Sequence, residues 1–266
     1  MGLNLILGLL LSAAIGFSLG LIGGGGSIIT VPILVYVIGV EPHQAIGMSL
    51  AVVGVTSLVG AALHSRRDSV RWGTGLIFGG SGVFGAFFGA RLTHLFSPPA
   101  LLLLFAALMI VISLLMLRKR PSENNVNWTR EFSLRKAIAA GLGVGALTGF
   151  LGVGGGFLIV PALALFGGLA MKESVGTSLL VIAINCAAGL LGQMRHGAGF
   201  DARLTILVAA LAAIGMLAGA ALSHNTSAER LNKGFAAFAL AVAFFLVAKN
   251  YQALIPLAMG AGGASG

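Results

Sequence analysis

Apolar residues run along this chain in long blocks, and polar ones fall in short clusters between them. Leu3 to Ile22 carries no charge, Gly23-Gly24-Gly25-Gly26-Ser27 interrupts it, and Ile28 to Val40 resumes with Pro32 inside. Gln44 to Leu63, Trp72 to Ala90 and Ala100 to Leu117 follow, separated by charged or proline-rich turns. After a polar stretch the same order returns. Ala137 to Phe166 is broken by Gly152, Gly154, Gly155 and Gly156 and contains Pro161; then come Ser174 to Gly192, Leu204 to Leu222 and Gly234 to Ala248. Blocks of roughly 17–25 apolar residues suit helices that cross the hydrocarbon layer. The ten-residue alternation of a membrane barrel does not occur. The pattern predicts an all-α polytopic membrane protein with 8 to 10 helical segments. Its expected divisions are a first membrane repeat over 1–117, a basic linker over 118–136, a second repeat over 137–252 and a flexible tail over 253–266.

Composition strengthens this reading. Only 9% of the 266 residues are charged, 58% are hydrophobic and 41 are glycine, against about a quarter charged in soluble domains. A soluble globule of this composition would expose large apolar patches, which nearly excludes a soluble enzyme. The net charge of +9 reads as Lys and Arg retained in cytoplasmic loops facing anionic lipid, not as a nucleic-acid interface. One cysteine, Cys186, allows no intramolecular disulfide, no cysteine zinc site and no Fe–S cluster. Met1 to Leu11 lacks the basic start of a signal peptide and reads as the beginning of the first span.

Sliding the chain by 129 residues aligns its two halves. Gly16, Gly20, Gly23, Gly25 and Gly26 fall on Gly145, Gly149, Gly152, Gly154 and Gly155; Val31-Pro32 falls on Val160-Pro161; Gly47, Ser49 and Leu50 fall on Gly176, Ser178 and Leu179; Arg66 falls on Arg195. One further residue of slippage brings Gly85 and Gly89 onto Gly215 and Gly219. The chain therefore reads as a tandem duplication. If each broken segment crosses once, the halves have four spans and lie parallel. If each break joins two short segments, the halves have five and the second is inverted. Both arrangements place twelve cations against four on opposite sides, so charge does not choose between them. Both put the 118–136 linker in the cytoplasm. Broken helices and inverted repeats commonly accompany each other in transporters, which favours inversion.

The glycine breaks hold the most chemistry. A run such as Gly23, Gly24, Gly25, Gly26 and Ser27 leaves backbone N–H groups unpaired at a helix start, where the dipole favours an anion. Its repeat partner holds Gly152, Gly154, Gly155 and Gly156. Irregular backbone at membrane depth is tolerated only against protein or a watery cavity, so the two breaks are expected to converge on one small anion. Ser49, Thr177, Ser178 and Asn185 could hydrogen-bond its oxygens, though each can equally satisfy backbone at a kink. Thr30 and Thr56 carry the same ambiguity. Pairs such as Gly16 and Gly20, Gly85 and Gly89, or Gly215 and Gly219 read as close helix packing. Arg66 and Arg195 could draw an anion toward the pore, or could simply be solvated. No chain of intramembrane carboxylates suggests a cation pump. Phosphate-loop, dinucleotide-binding, zinc-protease and serine-hydrolase motifs are all missing, so no enzyme activity, cofactor or metal is expected.

Two glycine-then-proline segments (Gly20–Leu34 and Gly149–Leu163), each followed by Gly-x-Ser-Leu, flank a basic central linker. With these features the chain resembles the TauE/SafE family of bacterial inner-membrane proteins, the sulfite exporters. The resemblance covers nearly the whole chain. It implies a secondary transporter, with export the expected direction, for small sulfur-containing anions such as sulfite, sulfoacetate or related organosulfonates. The expected partners are that anion and the lipid bilayer. Carriage of a carboxylate or a metal cation, or a scaffold role without transport, are the alternatives. Two-fold packing into a homodimer through outward Gly-xxx-Gly faces is compatible with the sequence.

Overall fold

The computed structural model describes residues 2–92, 98–118, 134–151, 156–165, 167–195 and 201–250. The described residues are helical, with no strand among them. The elements are α1 (Gly2–Ile22), α2 (Gly26–Pro32), a π-helical segment (Ile33–Ile38), α3 (Pro42–Ser65), α4 (Trp72–Leu92), α5 (Pro98–Arg118), α6 (Leu134–Leu151), α7 (Gly156–Leu165), α8 (Met171–Arg195), α9 (Ala202–Asn225) and α10 (Ala228–Asn250). Gln44–Ser65, Met171–Gln193, Ala202–Ser223 and Ala228–Ala248 are long and apolar enough to cross a membrane, and shorter apolar helices accompany them. The 118–136 linker and the 253–266 tail lie mostly or wholly outside the described residues.

The broken segments form for local reasons. Gly23 takes φ +81, a conformation that glycine adopts without steric cost, and α1 ends there. The chain turns back as α2, and Pro32 removes a backbone donor and crowds the preceding turn. The helix widens into the π-helical segment directly after it and stops at left-handed Gly39. In the second half Pro161 lies within α7, whose residues from Gly156 to Leu163 are all buried.

Glycine sets the helix pairing. The most extensive packings are α4 on α6 and α1 on α9, followed by α3 on α8 and α5 on α10. A Cβ on Gly16 would overlap the Ala212 carbonyl, and one on Gly215 would overlap that of Ala13. Likewise a Cβ on Gly145 would overlap the Gly82 carbonyl, and one on Gly85 that of Leu142. Neither long pairing could form at this distance with a larger residue.

The same contacts give the helix directions. Along α1 and α9 the numbers rise together, from Gly16 beside Ala212 to Gly20 beside Met216 and Ala220, so these helices are parallel. So are α4 and α6, from Gly145 beside Gly82 to Gly149 beside Ala86. Helices α3 and α8 run the other way: Leu50 meets Gly189, Gly54 meets Cys186 and Gly60 meets Leu179. Gly8 of α1 meets Ile38, while Ile15 meets Gly26. The α2/π segment therefore returns antiparallel alongside α1.

One end of the bundle gathers the end of α3 with the starts of α4 and α8. There Arg71 pairs with Glu173, Arg67 reaches the Ala220 carbonyl near the end of α9, and Asn232 at the start of α10 donates to Met116 near the end of α5. At the opposite end Asp201 caps α9 by accepting from the Arg203 and Leu204 N–H groups at 2.9 and 3.1 Å. Asp201→Ala should lower stability by about 1 kcal/mol, readable as a lower melting midpoint in detergent. Asp201→Asn, which keeps a capping oxygen, should recover most of the loss.

Candidate functional site

The two broken segments meet at their starts. A Cβ on Gly24 would strike the Gly156 carbonyl and approach the Phe157 Cα at 3.0 Å, while one on Gly156 would lie 3.2 Å from Ser27 Cβ. Gly23 is held against the beginning of α8, where the Ser178 hydroxyl donates to the Gly23 carbonyl at 2.8 Å and shares its proton with Val175 O at 2.7 Å. No side chain caps the first turn of α2. Gly23, Gly24, Ser27, Gly156 and Ser178 thus form one buried junction of helix starts and reversed backbone, which suits negative charge.

The other residues that the sequence marked are dispersed. Gly25 faces Ser18 and the Phe238 ring, and Gly26 packs onto Ile15 and Leu19 of α1. Thr177 accepts the Arg71 N–H at 3.0 Å, on the face holding the α3–α4 turn. Ser49 is buried on α3, beside Leu50, which meets Gly189; Ser178 is beside Leu179, which meets Gly60. These serines match in sequence yet lie roughly 18 Å apart along the pair, at about 1.5 Å per residue. Gly152, Gly154 and Gly155 fall outside the described residues, as does the Arg195 side chain. Arg66 is exposed.

Most hydroxyls satisfy their own helices. Ser27 donates to Gly24 O at 2.8 Å, Thr30 to Gly26 O at 2.9 Å and Thr56 to Val52 O at 2.6 Å. Back-bonding of this kind relaxes or bends a helix. The Ser27, Thr30 and Thr56 hydroxyls are thus already engaged with backbone carbonyls.

The comparisons with known proteins agree with this architecture. The description Sulfite exporter TauE/SafE matches residues 8–246. A probable membrane transporter protein of Xylella fastidiosa is 34% identical over 246 residues, covering 91% of this chain and 94% of its own. The probable membrane transporter protein YdhB of Bacillus subtilis is 33% identical over 189 residues, covering 69% and 76%. The chain belongs to the TauE/SafE family. It is a multi-pass membrane transporter of that family, as the sequence motifs implied. No solved structure matches it.

This TauE/SafE protein also carries buried polar atoms left without a partner among the described residues. They include Ser18 Oγ, Ser57 Oγ and Asn185 Oδ1. Asn185 was a candidate already. It faces Gly82 of α4, where a Cβ would lie 3.7 Å from its Oδ1. Ser57 and Asn185 sit within a turn of the Gly54–Cys186 crossing, near the middle of the α3–α8 pair. Ser18 borders the first break. Nothing in the local sequence distinguishes these serines from the back-bonded ones, because partner choice depends on distant helices.

Proposed function

We propose that this protein is a secondary transporter, and an exporter, of small sulfur-containing anions such as sulfite or organosulfonates. The observation that carries the proposal is the meeting of the α2 and α7 starts at Gly24, Ser27 and Gly156. Two helix starts meeting in a buried place offer backbone donors to an oxyanion with no fixed cation to hold it permanently. The family's description supports the cargo class, and the relatives' names support transport. Gly25, Gly26, Gly152, Gly154 and Gly155 would shape the same breaks, and Asn185 would border the path near mid-depth.

We infer further that the second half is inverted. Two features support this. Helices α3 and α8 hold matching places in the two halves and run antiparallel, and contacts recur with numbers advanced by 129 or 130 and roles exchanged. Gly60 on Leu179 corresponds to Leu50 on Gly189, and Gly16 on Ala212 corresponds to Gly145 on Gly82. Each half then crosses five times, counting the broken segment. The ends bearing Arg66, Arg67, Arg71, Arg118, Lys172, Arg230 and Lys233 face the linker side, which the positive-inside rule assigns to the cytoplasm of a bacterial inner membrane. Alternating access would come from rocking of one half against the other.

Flux into proteoliposomes tests the cargo. Sulfite or sulfoacetate should move down its gradient, and Ser178→Ala should slow it about tenfold by freeing the Gly23 carbonyl, a loss of about 1.4 kcal/mol. Sulfite flux indistinguishable from empty liposomes, or faster flux of a carboxylate or divalent metal, would overturn the cargo. Unchanged sulfite flux in well-folded Ser178→Ala would overturn the junction as its site.

A further inference from the structure

We propose that Arg71 and Glu173 form a latch that closes the linker-side face of the transporter. Arg71 precedes α4 in the first half, and Glu173 lies in the first turn of α8 in the second. The guanidinium donates from Nε at 3.0 Å and from Nη2 at 2.6 Å, both to Glu173 Oε1. The Glu173 carboxylate is also fixed from behind, because its Oε2 accepts the Ala170 N–H at 3.3 Å. A second strap runs alongside, from the Arg71 N–H to Thr177 Oγ1 at 3.0 Å. The side chains are 40% and 17% exposed, so water reaches one flank of the pair.

The start of α8 joins this latch to the substrate junction. Glu173 and Thr177 hold the α3–α4 turn, Gly176 packs tightly under Ser69, and Val175 and Ser178 hold Gly23. From Glu173 to Ser178 is roughly 7.5 Å of helix. A tilt of the α8 start that separates Glu173 from Arg71 would therefore also move the backbone around Gly23. The positions that the 129-residue repeat matches to Glu173 and Arg71 hold Gln44 and Phe200, neither of which carries a charge. The pair thus has no charged counterpart at these two matched positions, and it favours the conformation closed toward the linker. Nearby charged and titratable groups are His64, Arg66, Arg67, Asp68 and Lys172; the latch depends on charge pairing, and Glu173→Gln removes that while keeping an oxygen to cap Ala170.

This inference rests on alternating access as proposed above, and its test needs no substrate. Val175→Cys is introduced in a Cys186→Ala background, and a membrane-impermeant maleimide is added to inside-out or right-side-out vesicles. The intact latch should protect the new thiol from the linker side. Arg71→Gln and Glu173→Gln should each speed labelling from that side about fivefold, as expected for a partly screened ion pair of about 1 kcal/mol. The double variant should label no faster than either single one, because both remove the same interaction. Unchanged rates in the single variants would overturn the latch, as would additive effects or a rise that is equal from both sides. Absence of flux together with a one-sided, non-additive labelling change would overturn the transport reading and leave the latch standing.

Discussion

Gly145→Ala should cripple the assembled protein, whereas Gly143→Ala, two residues away on the same helix, should be harmless. A methyl group at position 145 would enter the carbonyl of Gly82, and backbone on both helices leaves no flexible side chain to give way. At position 143 a methyl group would meet nothing within 4 Å. Overpacking of this kind typically costs about 1–3 kcal/mol, more where backbone must move. The expected result for Gly145→Ala is therefore loss of the monodisperse species in detergent, or a midpoint lowered by about 10 °C or more, taking roughly 2–4 °C per kcal/mol for a chain of this size. Gly143→Ala should match or slightly exceed wild type, since alanine favours helix over glycine by about 1 kcal/mol at most. Equal midpoints for the two variants would show that the α4–α6 packing does not depend on glycine.

The second large effect is one of sidedness. A reporter that works only in the cytoplasm should be active when fused after Arg118 and inactive when fused after Asn250. A reporter that needs an oxidising compartment should give the reverse. The reasoning runs through helix directions: α5 ends and α10 begins at the same end of the bundle, where Asn232 meets Met116, so Asn250 must lie at the far end. Activity of the cytoplasmic reporter at both junctions would refute the inverted arrangement, and equal activity of the oxidising reporter would do the same.

The sequence made some of this visible. Helix existence follows from apolar length, and the breaks at Gly23 and Gly156 follow from glycine runs before a proline. The family was legible from the same motifs. Helix direction was not, because sixteen cations divide equally well in the parallel and inverted arrangements, and only contacts such as Leu50 with Gly189 distinguish them. Packing of Gly16 and Gly215 was foreseen, but their partners were not, since Ala212 and Ala13 lie in the other half of the chain. The serines were harder still. Ser49 and Ser178 look equivalent in sequence, yet only Ser178 is seen bonding the Gly23 carbonyl. Arg71 looks no different from Arg66 in the sequence, because a pair formed with Glu173, 102 residues away, leaves no local trace.

The exchange of helices between halves bears on how the molecule is made. α1 precedes α9 by roughly 180 residues, yet its glycine face fits that helix. At about 5–20 residues per second the nascent helix waits on the order of ten to forty seconds with that face uncovered. During that interval it is open to lipid, to the insertion machinery or to a neighbouring nascent chain. The packing of α1 is therefore completed only once α9 has been made.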